Sequence, residues 1–161
     1  MAGTTVARNA GDSTALWMLG GLYEIRVSSD DTGGAMTAME FTIPPGAGPP
    51  PHVHDAAELV YVLEGSVRFY GEGKTFEAGP GSIVHFPAGV EETFEPMGGP
   101  VRLLAIYTPG GMDRFFAEAG EPAERHAIPP EPSAPPDLER LSAIAEKHGL
   151  ELRVPVETRR S

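Results

Sequence analysis

Two histidines in the run GAGPPPHVHDAAELVYVLEG, His52 and His54, stand two residues apart, and Glu58 follows four residues later. Side chains alternate along a β-strand, so this spacing aims both imidazoles at one face, and Glu58 joins them once the chain has turned at 55–57. Two imidazoles and a carboxylate that converge suit a divalent transition metal, whether Fe, Mn, Ni, Co or Zn. Beyond Glu58, Val60 and Val62 share its parity while Leu59, Tyr61 and Leu63 take the other. The strand is apolar on both faces, so Glu58 enters a dry interior, where a charge needs a partner.

A second acid stands out in FPAGVEETFEP, residues 86–96. At period two, Val90, Glu92 and Phe94 face one way, and Glu91, Thr93 and Glu95 face the other. One carboxylate is thus placed on the apolar side. Three readings of Glu92 stand open: a fourth metal ligand, an acid or base beside a three-ligand metal, or a carboxylate at the solvent rim. As a ligand it gives a set of two histidines and two carboxylates whose charge balances a divalent ion. Without an ion, Glu58 and Glu92 would repel across a low-dielectric cavity, and one of them would hold a proton near neutral pH.

The other histidines are read as structural. His85 precedes Pro87 on a strand where either face could be the interior one, and a core or interface histidine bonded to the backbone is expected there rather than a ligand. His126 and His148 lie in a connector and at a helix end, as structural or solvated groups. Tyr61, Phe69, Tyr70, Phe86, Phe94 and Tyr107 occupy strand positions, mostly as core, with some able to line a pocket for a flat ligand. Trp17 is read as interface or core.

The elements that position these residues are short strands. Glycine and proline, 20 and 17 of the 161 residues, separate apolar runs at intervals typical of a sandwich or barrel. Runs at 15–19, 22–27, 36–43, 58–63, 67–70, 83–86, 90–94 and 101–107 read as strands. Past Tyr107 the period changes: Met112, Phe115, Phe116 and Ala119 follow the spacing of a helix that buries one stripe, closed by Gly120. Six prolines between 121 and 136 make an extended connector. A second helix is expected from about Pro136 to His148, stopped by Gly149, with Leu138, Leu141 and Ile144 packing on this core or on a partner subunit.

Composition narrows the partners. A net charge of -11, with only 12 Lys and Arg, argues against nucleic acid and anionic membranes. With no cysteine, a metal must be held by nitrogen and oxygen. The N-terminal residues lack the apolar run of a signal peptide and no stretch reaches membrane-spanning length, so a cytoplasmic soluble protein is expected.

The quoted stretch resembles the first motif of the cupin superfamily: Gly, five residues, His-x-His, three or four residues, Glu, six residues, Gly. Gly46, His52, His54, Glu58 and Gly65 keep every gap. Gly81, Pro87 and Gly89 match the start of the family's second motif, but Glu92 stands where the family has its third histidine, and Pro96 where it often has asparagine. The resemblance covers roughly residues 36–108. It implies an all-β cupin jelly-roll β-barrel over 1–108, with short C-terminal helices in an extension over 109–161. It also implies three metal ligands from one sheet, the fourth from the strand after Pro-x-Gly, and a homodimer acting on a small-molecule substrate. Many single-domain members resemble quercetin 2,3-dioxygenases, which use three histidines and one glutamate. Carried over, His52, His54 and Glu58 are ligands and the fourth role falls on Glu92, with Glu58 and Glu92 as the groups that move protons. A dioxygenase acting on an aromatic or enolic substrate is the leading expectation. A non-redox lyase, isomerase or cyclase and a non-catalytic ligand-binding cupin are the alternatives.

Overall fold

Alternating apolar and polar residues, punctuated by glycine, fold 14–108 into ten strands in the computed structural model, which describes residues 2–153. They are β1 (Thr14–Met18), β2 (Gly21–Val27), β3 (Thr37–Ile43), β4 (His52–His54), β5 (Ala57–Glu64), β6 (Val67–Gly71), β7 (Lys74–Ala78), β8 (Ile83–Phe86), β9 (Glu92–Pro96) and β10 (Val101–Thr108). Helix α1 (Met112–Ala119), strand β11 (Glu121–Pro122), helix α2 (Leu138–Lys147) and strand β12 (Leu150–Leu152) follow. The last eight residues of the expected extension lie outside the described residues.

The strands form two antiparallel sheets, ordered β11-β1-β2-β3-β10-β5-β8 and β12-β4-β9-β6-β7. This is the expected all-β jelly roll with two short helices. Its sheets face each other without a shared strand that would close them into one continuous barrel among the described residues. Their inner faces bury Met39, Ile43, Val62, Val67, Phe69 and Leu103, and removing this apolar surface from water is the main force holding the sheets together. Gly65 ends β5 at φ +83°, and a Cβ there would come within 2.4 Å of the Pro100 carbonyl oxygen, so no side chain fits.

Three strands escaped the sequence pattern. In β7, KTFEA, most residues face solvent and only pairing with β6 defines the strand. The two-residue β11 sits inside the proline-rich connector and pairs with the edge strand β1, a place proline tolerates. The third, β12, matters most for the site. After α2, Gly149 adopts φ +74°, where a Cβ would lie 2.7 Å from Asp55 Oδ2. The chain turns there and lays β12 along β4, with Leu150 opposite His54 and Leu152 opposite His52.

Both helices serve the same core. Met112, Phe115 and Phe116 of α1, and Leu141 and Ile144 of α2, are buried with the strand residues. The buried Asp113 carboxylate ties α1 to the seven-stranded sheet: it accepts hydrogen bonds from the Ser29 amide at 3.1 Å and the Thr37 hydroxyl at 2.7 Å. Helix α2 begins two residues later than its prolines imply, because Asp137 is its cap and accepts from the Arg140 amide. Trp17 is half-buried under the connector, donating to the Ala127 carbonyl at 2.8 Å with Arg125 over its ring. Among the described residues no helix is long and apolar enough to cross a membrane.

Leu150, 5% exposed, carries the weight of this arrangement. Leu150→Ala is expected to lower unfolding stability by about 2–5 kcal/mol in a urea titration. Ile83→Ala, at a position 60% exposed, should stay within about 0.5 kcal/mol of the parent. Equal losses would contradict the packing of β12.

Candidate metal centre

Strand β4 presents His52 and His54 on one face because residues two apart share a side. Glu92 opens β9 directly opposite His52 in the ladder, so its carboxylate shares that face. Glu58, on β5 of the other sheet, reaches across the interior. The strand after Pro-x-Gly does carry Glu92, but the expectation that His52, His54 and Glu58 share one sheet is not met. His52, His54 and Glu92 come from the five-stranded sheet and Glu58 from the seven-stranded one, because the chain crosses between sheets at 55–56.

The four groups offer donor atoms that all lie within 4.8 Å of one another. His54 Nε2 lies 2.8 Å from Glu92 Oε1 and 3.3 Å from Glu58 Oε2, and His52 Nε2 lies 3.3 Å from Glu92 Oε1. Each ring's other nitrogen is committed: His52 Nδ1 sits 2.9 Å from the Pro50 carbonyl oxygen and His54 Nδ1 2.6 Å from that of Ala56. A carbonyl only accepts, so both Nδ1 atoms carry protons and both Nε2 atoms turn to the carboxylates. That is the tautomer a metal-ligating histidine needs.

Glu92 is 3% exposed, whereas the Glu91 and Glu95 side chains are about half exposed. Its position is interior, not at the rim. Its second oxygen, Oε2, is buried with no hydrogen-bond partner among the described residues. A buried carboxylate oxygen left without a donor is costly. A cation supplies what that oxygen lacks, and two imidazoles with two carboxylates suit a divalent transition ion. The residues therefore fit a metal.

The protonation of His54, Glu58 and Glu92 shows the same strain. Burial acts to lower the His54 pKa, but the hydrogen bonds and charges of Glu58 and Glu92 outweigh it and push it up to about 10. Burial, reinforced by Glu92, pushes Glu58 up to about 7. Burial opposes ionisation of Glu92 too, yet hydrogen bonds from Glu58, His52 and His54 hold it well below the usual carboxylate range. Two carboxylates this close share a proton, and an imidazolium beside them stands in for a cation.

Tyr107 borders the cluster. It pairs with Glu58 across β10 and β5 and turns its ring edge-on to His54 at 5.5 Å between centroids. Burial, then the Glu58 charge, keeps its phenol protonated well above the ordinary range. His85, by contrast, is exposed on β8 and forms no part of the cluster; of the two places expected for it, the core is ruled out and an interface is not. His126 and His148 bond to Glu24 and Glu118, far along the chain from the four donors.

A narrow cavity of about 50 Å³ leads from the donors into the apolar interior, lined among others by Tyr23, Phe41, Phe116, Leu141 and Leu150. This exceeds the roughly 10–15 Å³ that one water needs. Sequence reasoning missed Tyr23, because β2 is buried on both faces and parity carries no information there. It missed the walls from α2 and β12 because no motif marks them.

A family model described as "Cupin domain" matches residues 39–107, the segment that contains all four donors. Together with the fold, this identifies 39–107 as a cupin domain. The quercetin 2,3-dioxygenase of Bacillus subtilis (strain 168) is 27% identical over 114 residues, which are 70% of this chain and 34% of that protein. The chain thus spans about a third of the length of that curated relative. Among solved structures, an RmlC-like cupin from Shewanella frigidimarina superposes with TM-score 0.61 at 16% identity, covering 71% of this chain and 99% of the other. The polyketide cyclase RemF from Streptomyces resistomycificus gives 0.57 at 24% identity, covering 79% and 89%. At these identities the structures establish a shared fold.

Metal uptake at such a cluster displaces protons, so affinity should depend steeply on pH. Below pH 7 Glu58 and His54 each release a proton to an incoming ion, and affinity for Co²⁺ is expected to climb about a hundredfold per pH unit; between 7 and 10, of these two, His54 alone does so and the climb is about tenfold. A histidine whose folded pKa lies above its unfolded 6.5 stabilises the fold below that pH, and this support fades as pH rises toward 10. Chelator-treated protein should therefore melt at falling temperatures through that window while metal-loaded protein does not. Calorimetric titrations and thermal melts across the range check both, and a pH-independent affinity would contradict the protonation scheme.

Proposed function

We propose that the chain is a metal-dependent cupin enzyme in which His52, His54, Glu58 and Glu92 hold a divalent transition metal. Its substrate is a small aromatic or enolic molecule, and its reaction is of the dioxygenase type. The observation that carries this reading is the unpartnered Glu92 Oε2, buried in a four-donor cluster at the end of an apolar cavity. The quercetin 2,3-dioxygenase relative supports the reaction type.

A bound ion of this kind supplies Lewis acidity and, when redox-active, a path for electrons between substrate and O₂. The residues do the rest. His52 and His54, each fixed through Nδ1, hold their Nε2 lone pairs on one point. Glu58, delivered from the opposite sheet, is the carboxylate that accepts the proton an enol or phenol releases on binding when it is not itself engaged with the ion. Tyr107 stands beside Glu58 in the ladder, with its phenol protonated. The aromatic walls exclude water and favour a flat ligand.

A second reading has its own support. A carboxylate where the family has histidine makes the donor set harder and more anionic, which suits Lewis-acid chemistry. In that version the reaction is a non-redox lyase, isomerase or cyclase step, with Glu58 or Glu92 moving a proton. For the assembly, we propose a cytoplasmic homodimer. Tyr61, Phe76 and Ile83, exposed on or beside the open sheet edges β7 and β8, provide apolar surface for contact between copies.

Glu92→Gln is expected to weaken metal retention at least tenfold by elemental analysis after dialysis, and Glu91→Gln to leave it unchanged. Equal effects would remove Glu92 from the donor set. With metal loaded, a panel of flavonols and enediols is expected to consume O₂ at an electrode. Substrate conversion under anaerobic conditions would instead establish the non-redox reading.

A further inference from the structure

The cavity contains a second unsatisfied polar atom besides Glu92 Oε2. The Tyr23 side chain lines it, the residue is 2% exposed, and its hydroxyl has no hydrogen-bond partner among the described residues. Both residues line one cavity, Glu92 among the four donors and Tyr23 between Phe41 and Phe116.

The ring around that hydroxyl is held firmly. Phe41 meets Tyr23 edge-on at 5.0 Å between centroids, and Phe116 stacks on it at 4.9 Å with 26° between planes. Neither neighbour has a polar atom to offer. A phenylalanine would pack as well and avoid burying a bare hydroxyl. Two residues earlier on the same face, Gly21 has no side chain; a Cβ there would come within 3.3 Å of the Tyr23 oxygen. The glycine lets the Tyr23 ring and the Ile43 side chain, 2.5 Å from where that Cβ would stand, pack there, and neither it nor Ile43 offers the hydroxyl a side-chain partner. Burial pushes the phenol pKa up, so at neutral pH the group is a fixed, uncharged donor.

We propose that the Tyr23 hydroxyl anchors the end of the ligand remote from the metal donors, so that the cavity selects a molecule with chelating oxygens at one end and a further oxygen acceptor at the other. This rests on the metal-centre reading above and adds a specificity-determining residue to it. A site built to hydrogen-bond a particular oxygen rejects the analogue lacking it, because its own polar group is then left unpaired. The apolar wall between the two anchors recognises neither oxygen and sets only the distance between them.

The test uses the full chain loaded with Co²⁺, as wild type, as Tyr23→Phe and as the surface control Tyr61→Phe. Each protein is titrated with catechols carrying a methyl, ethyl or propyl side chain and with their counterparts bearing a terminal hydroxyl on that side chain. Calorimetry reads affinity, and the cobalt absorption bands read ligation at the ion. For the chain length that spans the cavity, wild type and Tyr61→Phe are expected to prefer the hydroxyl-bearing member roughly tenfold. Tyr23→Phe should lose that preference while binding the plain alkyl catechol as tightly as before and melting no lower than wild type. If ligands bind with no preference at any length, or if Tyr23→Phe keeps the preference, the anchor is overturned and the metal-centre reading stands. A marked loss of melting temperature in Tyr23→Phe with unchanged preference assigns the hydroxyl a structural role and overturns it equally. If cobalt is not taken up, or its bands are unmoved by every catechol, the metal-centre reading falls and the anchor with it.

Discussion

Two carboxylates and two imidazoles brought within 4.8 Å of one another, away from water, form the constraint around which this molecule is organised. Left alone, such a group is unfavourable: like charges face each other at low dielectric, and Glu92 Oε2 has no donor. The surrounding structure nevertheless holds it in place. A ladder pairing fixes Glu92 against His52, backbone carbonyls fix both imidazole rings, and the facing sheet delivers Glu58. A cluster that hydrophobic burial pays for elsewhere is the usual sign of a functional centre rather than a folding device.

The polar cluster and the apolar core are parts of one design. Strand parity that buries Val60 and Val62 also buries Glu58, since all three share a face of β5. The inward turn of Glu92 likewise follows from β9, whose neighbours Glu91 and Glu95 stay in solvent. Moving any of these strands by one residue would put a carboxylate outside and an apolar residue in the donor set. Register therefore specifies the chemistry as strictly as it specifies packing.

Much of this was legible in the sequence. His52, His54 and Glu58 announce themselves by spacing, and Pro87 and Gly89 fix the register that singles out Glu92. The strands with clear alternation and helix α1, with its single buried stripe, follow from periodicity. Where the chain was misread, the local signal was weak. Strand β7 has no buried residues to alternate, β12 is three residues long, and β2 is buried on both sides so that Tyr23 looks like any core aromatic. The assignment of Glu58 to the sheet of the histidines failed because a two-residue crossing between sheets leaves no compositional mark. The core alternative for His85 fell for a related reason: its strand lies at the sheet edge, where parity does not say which face is covered.

The pairing of β12 with β4 bears on the order in which the molecule can form. The strand that carries both histidines meets β9 only at His52, receives one further bond from the Gly89 amide to the His54 carbonyl, and along its other edge is supported by residues about a hundred positions downstream. Contacts of such long sequence separation close late, after local hairpins have formed. During synthesis, then, the jelly roll can collapse while the wall behind the histidines is still missing, and the cavity beside them gains its final shape only when the distant leucines arrive.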